Sequence, residues 1–190
     1  MSIKHIVLVG FLLSSSACTT ILTGTAGSEG IQEDRYLRTA GTIVEDESIE
    51  TKVTVNMRTQ QEQFRDSSFD VISHNGVVLL VGQVQSEDLK QQATLIASEA
   101  SVHVRRVHNE MEVAGPRSLL SRSNDTWLAT KVRTQLAASD QINSNRMRVI
   151  ANNGTVYLMG IVDSTEGERA SNLARSVGGV LRVVNVFEFI

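Results

Sequence analysis

Disulfides within the chain are excluded at once, because Cys18 is the only cysteine among 190 residues. Proline is as scarce, with Pro116 alone, and beside Gly115 it marks one break in the chain. Aromatics make up 4% of the residues and the net charge is −3, a balance that speaks against bulk nucleic-acid binding. The longest N-terminal apolar run, Ile6 to Leu13, is too short to span a bilayer as a helix. Catalytic and metal signatures are missing too. His5 lies in the N-terminal apolar segment, while His74, His103 and His108 are separated and have no matching cluster in the second half. Acidic residues are scattered over polar faces, and there is no metal-ligand spacing and no glycine-rich phosphate loop. The expectation is therefore a protein with no catalytic residues, no metal and no cofactor.

What the chain does have is a repeat. Val71 to Ser86 reads VISHNGVVLLVGQVQS and Val149 to Ser164 reads VIANNGTVYLMGIVDS, sharing Val-Ile, Asn-Gly, Val, Leu, Gly, Val and Ser at identical spacing. Upstream, Ile49 to Val53 echoes Leu128 to Val132; downstream, Val104 to Asn109 echoes Val180 to Asn185. A period of about 78 residues is too long for a solenoid and suits two small tandem domains. Domains this small bury only about 60% of their unfolded surface, so the two copies are expected to lean on each other. Any feature present in one copy and absent from the other is unlikely to be demanded by folding, and becomes a candidate for function.

The N-terminus carries a processing pattern. Lys4 precedes the apolar run, and the small residues Ser14-Ser15-Ser16-Ala17 lead to Cys18. This resembles the bacterial lipoprotein processing box, with Ser15 where that box prefers leucine; the alternative is an ordinary secretory signal cleaved nearby, leaving Cys18 as a free periplasmic thiol. The resemblance implies cleavage after residue 17, acylation of Cys18 and, with Thr19 rather than aspartate next, transfer to the outer membrane. More than one acyl chain anchors a protein stably without a transmembrane helix.

Residues 18–44 read as a tether, 45–113 as the first domain, 114–122 as a linker and 123–190 as the second domain. In the first domain Asp46 reads as the N-cap of a helix with Ile49, Val53 and Met57 on one face. Phe69 to Ser73 and Val77 to Gln85 read as strands around the Asn75-Gly76 turn, followed by a helix capped by Ser86 and a closing strand from Val104 to Val113. The second domain repeats this order from Asn124 or Asp125. Leu128, Val132 and Leu136 form its stripe, Asn153-Gly154 its turn, and Gly178-Gly179 a left-handed end to its last helix. The fold class is α+β, each unit being helix–strand–strand–helix–strand with a three-stranded mixed sheet packed on two helices. Gly82 and Gly160, inside strands, read as structural glycines that admit a close-packed helix or a bulge.

This element order, the two hairpins (Val71, Asn75-Gly76, Leu80, Gly82, Val84; Val149, Asn153-Gly154, Leu158, Gly160, Val162) and the later Val-x-Arg-Val-x-Asn strand resemble the BON domain. The segments Ser123 to Arg133 and Val156 to Gly160, with the processing box, are similar to lipid-anchored members carrying two such domains. The resemblance implies a non-enzymatic protein on the periplasmic face of the outer membrane, supporting envelope integrity and gathering at division sites. It also implies binding of anionic phospholipids, phosphatidylglycerol and cardiolipin, through the first helix of the second domain.

On that helix Trp127 stands out. It lies about 100° from Leu128, off the core stripe, and its counterpart in the first copy is Ser48. Lys131 follows one turn on and Arg133 is near, so Trp127, Leu128, Lys131 and Arg133 form the candidate phospholipid site. An indole beside cations suits the headgroup region of a bilayer. Between Ala114 and Ile150, Arg117, Arg122, Lys131, Arg133, Arg146 and Arg148 face only Asp125 and Asp140, which reads either as a basic patch or as an ordinary solvated surface. Two alternatives stand beside lipid contact: Trp127 as packing between domains, and Trp127 as a hot spot for an envelope protein partner.

Overall fold

The computed structural model describes residues 34–115 and 119–190. The first copy runs α1 (Ala40–Gln60), β1 (Ser68–His74), β2 (Val77–Val84), α2 (Glu87–Glu99) and β3 (Arg106–Val113). The second runs α3 (Leu119–Ala137), β4 (Met147–Asn152), β5 (Thr155–Val162), α4 (Ser164–Ser176) and β6 (Arg182–Phe189). In each copy the first two strands pair antiparallel and the last joins the middle one in parallel, giving orders β1-β2-β3 and β4-β5-β6. The expected α+β class is borne out.

Both hairpins close as the Asn-Gly pairs predict. Asn75 and Gly76 sit at φ 53° and 73°, Asn153 and Gly154 at 50° and 75°, the paired positive values of a type I′ turn. Ser86 caps α2 by accepting from the Leu89 N–H. The helix starts differ from the expectation. Thr39 caps α1 by accepting from the Thr42 N–H at 3.1 Å, so residues 40–44, read as tether, are helical. Asp46 is no cap: it is buried within α1 and accepts from Ser73 Oγ (2.7 Å), Asn75 N (2.8 Å), Gly76 N (2.9 Å) and Arg38 Nη1 (2.7 Å). Its counterpart Asp125 accepts from Gly154 N. Each first helix thus holds its own hairpin turn through one carboxylate. Likewise α3 begins at Leu119, inside the expected linker. At the end of α4 the helix stops before an extended Val177, and Gly179 (φ 105°) occupies a turn closed by Val180 N donating to Val177 O, rather than a helix cap.

Three apolar clusters hold these elements. Ile49, Val53 and Met57 of α1 and Leu89, Ala93 and Ile96 of α2 cover Val78 and Leu80 on one face of the first sheet. Leu128, Val132 and Leu136 of α3 with Ala170 and Ala174 of α4 do the same over Val156 and Leu158. The third cluster joins the copies: Ile72, Val77, Leu79 and Val81 meet Tyr157, Met159 and Val186, sheet face against sheet face. All residues of β2 and β5 are therefore buried, one face under helices and the other against the partner sheet. That is why these strands read as unbroken apolar runs.

Polar pairs ring this interface with a local twofold. Asn75 Nδ2 donates to Glu188 (2.6 Å), and its repeat mate Asn153 donates to Glu112 (3.4 Å). Arg105 also pairs with Glu188 at 2.7 Å. Gly82 (φ 132°) and Gly160 lie where the neighbouring strand begins. A Cβ on Gly82 would strike Ser68 O, and one on Gly160 would lie 2.5 Å from Arg146 O. The close neighbour is thus the backbone at the start of β1 and just before β4, not a helix packed above the strand.

Candidate functional site

The outer face of α3 divides the expected site. Trp127 is 58% exposed, and the Lys131 ammonium sits 4.8 Å from its ring centroid, within cation–π reach. Lys131 also donates to Gly178 O at 2.9 Å, tying the helix to the loop after α4. Leu128 is only 4% exposed and packs in the second core, so it supports the helix and offers nothing to a bilayer. Arg133 is turned roughly 120° round the helix from Trp127 and donates to Val149 O at 2.7 Å, facing the first domain. Trp127 and Lys131 are therefore brought together, while Leu128 and Arg133 are not part of that face.

The expected basic run is also split. Arg148 pairs with Glu50 (2.7 Å) and Arg146 lies over Tyr36 (4.3 Å to the centroid), both away from Trp127. Arg122 donates to Ser68 Oγ (2.7 Å). Arg117 and Cys18 lie outside the described residues, as do the processing segment and most of the tether.

Leu181, which sequence reading did not select, completes the face. It is 82% exposed, donates its N–H to Gly154 O (2.9 Å), and its side chain lies over that turn. Gly178 and Gly179 run beside Lys131 and Leu128, so Trp127, Lys131 and Leu181 share one end of the domain. The signal was present in the repeat: Leu181 stands where the first copy has Arg105. In the first domain the residues matched to Trp127 and Leu181 are polar instead, Ser48 and Arg105, with a Lys52–Glu45 pair at 3.8 Å nearby and Arg105 paired across to Glu188. At the positions of Trp127 and Leu181 the second copy thus carries large apolar side chains where the first carries polar ones, although the first exposes Val102 in the loop matching Gly178.

No group of three or more His, Cys, Asp or Glu could hold a metal ion among the described residues. His74 is buried beside Arg38, Asp46 and Arg148. Burial first, then the Arg38 charge, push it down to about 4, with Asp46 opposing, so it is neutral near pH 7. It is a core group, not a proton donor to solvent.

The chain is 30% identical to outer membrane lipoprotein DolP of Haemophilus influenzae over 98% of this chain and 96% of that protein. It is 29% identical to a 21 kDa hemolysin of Actinobacillus pleuropneumoniae, covering 80% of this chain and 78% of that one. It is 26% identical to osmotically-inducible protein Y of Escherichia coli, covering 92% of each. The BON domain model matches residues 45–115 and again 124–190. With two matched segments, two equivalent sheets and the same hairpin in each, the chain belongs to the BON-domain family as a tandem two-domain member.

Proposed function

We propose that this chain is a non-enzymatic, lipid-anchored envelope protein of the outer membrane whose second domain docks on anionic phospholipid through Trp127, Lys131 and Leu181. The observation that carries it is the asymmetry between two copies of one fold. Trp127 and Leu181 are exposed at one end of the second domain, and the equivalent end of the first domain has Ser48 and Arg105. Folding does not ask for them, and an indole beside an ammonium fits the interface between headgroups and acyl chains. Acylated Cys18 would supply the first attachment and this end a second, which multiplies affinity and makes it sensitive to local lipid composition. The name of the Haemophilus relative, an outer membrane lipoprotein, supports the location. Phosphatidylglycerol and cardiolipin are the expected lipids, and support of envelope integrity at division sites the expected role.

Flotation of residues 19–190 with vesicles tests this. Binding to phosphatidylglycerol vesicles, none to phosphatidylcholine vesicles, and loss with Trp127→Glu at unchanged melting temperature is the expected result. Binding should also weaken as salt rises. Undiminished binding by Trp127→Glu would contradict it. Absence of binding to either vesicle would leave Cys18 as the sole membrane link and favour a protein partner for Trp127.

A further inference from the structure

Two grooves flank the line where the domains meet, related by the repeat and built oppositely. In one, the second domain turns Arg146 and Arg148 toward the first, and both are occupied. Arg148 bonds Glu50 Oε1 (2.7 Å) and Ser73 O (2.8 Å), while Tyr36 covers Arg146. Only about 110 Å³ of space remains there.

The other groove is an open cleft of about 480 Å³ into which Arg58 of α1 and Arg122 and Arg133 of α3 project. The repeat puts Ala129 where Glu50 stands and Asp70 where Arg148 stands, so the ion pair that closes the first groove has no equivalent here. The three guanidinium groups meet neutral partners only: Ser68 Oγ for Arg122, Val149 O for Arg133, and the Phe69 ring for Arg58 at 5.5 Å. None is ion-paired with a carboxylate among the described residues. Of the two acids lining the cleft, Asp125 is engaged by the Gly154 N–H and Asp70 is exposed. Each guanidinium has five N–H donors, so each keeps several for a ligand.

Folding does not require these arginines. Their repeat mates are Ala137, Ile43 and Thr54. Planar guanidinium forks match the oxygens of a phosphate group, and the volume is that of a small-molecule site. We propose that this interdomain cleft binds a phosphate group, carried either on a small soluble ester or on a lipid headgroup. The site is separate from the membrane-contact face: Arg122, Thr126, Ala129 and Arg133 share one stripe of α3, and Trp127 lies roughly 130° round from it.

The test uses residues 19–190, which include every described element, in the Trp127→Glu background so that the membrane-contact face plays no part. Calorimetry with glycerol 3-phosphate reads the soluble source, and calorimetry with a short-chain phosphatidylglycerol kept monomeric, so that no bilayer is present, reads the lipid source. Saturable binding in either arm is expected, weakened about tenfold or more by Arg122→Gln or Arg133→Gln, as for loss of a charged hydrogen bond. Thr126→Glu, an exposed change on the cleft wall, supplies the missing carboxylate and is expected to weaken it as much without lowering the melting temperature. Binding in one arm only identifies the source. Absence of binding in both arms, or binding undiminished in Arg122→Gln and Arg133→Gln, would overturn the proposal.

Discussion

Asp46 shows how much one side chain can organise. Burial works against its charge, yet hydrogen bonds from Gly76, Ser73, Arg38 and Asn75 outweigh burial and hold the carboxyl below its ordinary range. Asp46→Ala would leave those donors without their acceptor, and a loss of about 3 kcal/mol or more is expected in chemical denaturation, against a smaller loss for Asp46→Asn. Neighbouring His74 gives a separable pH signature. The unfolded chain takes up a proton as pH falls below 6.5, while the folded side chain refuses it until about 4. Stability therefore declines across that window, and melting temperatures measured from pH 7 to pH 4 should fall, with His74→Gln flattening the decline. Asp46 adds its own loss only below its ordinary value of 3.8, where the unfolded chain begins to protonate first. At Gly82 the positive φ and the carbonyl of Ser68 leave no room for a Cβ, so Gly82→Val should abolish folding rather than binding. Trp127 was legible because it departs from a stripe that both copies keep; Leu128 was not separable from it by adjacency alone. Arg133 was misplaced for a related reason: closeness in sequence says little about which side of a helix a long side chain serves.

At the level of elements, pattern and turn chemistry identified the four α-helices and six strands among the described residues, because Asn-Gly turns and four-residue apolar spacing are local signals, but not the short 3-10 turns at Glu62–Phe64 and Ser144–Arg146. Helix starts were less legible. Asp46 with its acidic neighbours has the composition of a first turn, and only the fold reveals that the carboxylate is consumed by a hairpin far along the chain. Thr39 takes the capping role instead, so Thr39→Ala should cost about 1 kcal/mol and fray the first turn of α1, read as faster amide exchange at residues 40–43. The start of α3 within the expected linker has a larger consequence. It brings Arg122 onto the helix stripe that faces the first domain, which is what builds the arginine cleft.

For the whole molecule the two copies behave as one body with three cores. The sequence suggested mutual support from size alone, but no local pattern could show that sheet would face sheet, since β2 and β5 simply read as apolar throughout. The shared cluster of Leu79, Val81, Tyr157 and Met159 couples the copies, so calorimetric unfolding should show a single transition. Met159→Asp would place a charge in a site with no exposure and should split or abolish that transition, whereas Leu181→Asp, at an exposed position, should leave it unchanged. The same coupling gives the end that carries Trp127 and Leu181 a fixed direction relative to the first domain.

Because Trp127 is the only tryptophan in the chain, its fluorescence reports directly on the central claim. Residues 19–190 titrated with phosphatidylglycerol vesicles carrying brominated acyl chains should show a blue-shifted and quenched emission, reversed by added salt and absent with phosphatidylcholine vesicles. Emission that stays red-shifted and unquenched at saturating anionic lipid would contradict contact between this face and the bilayer.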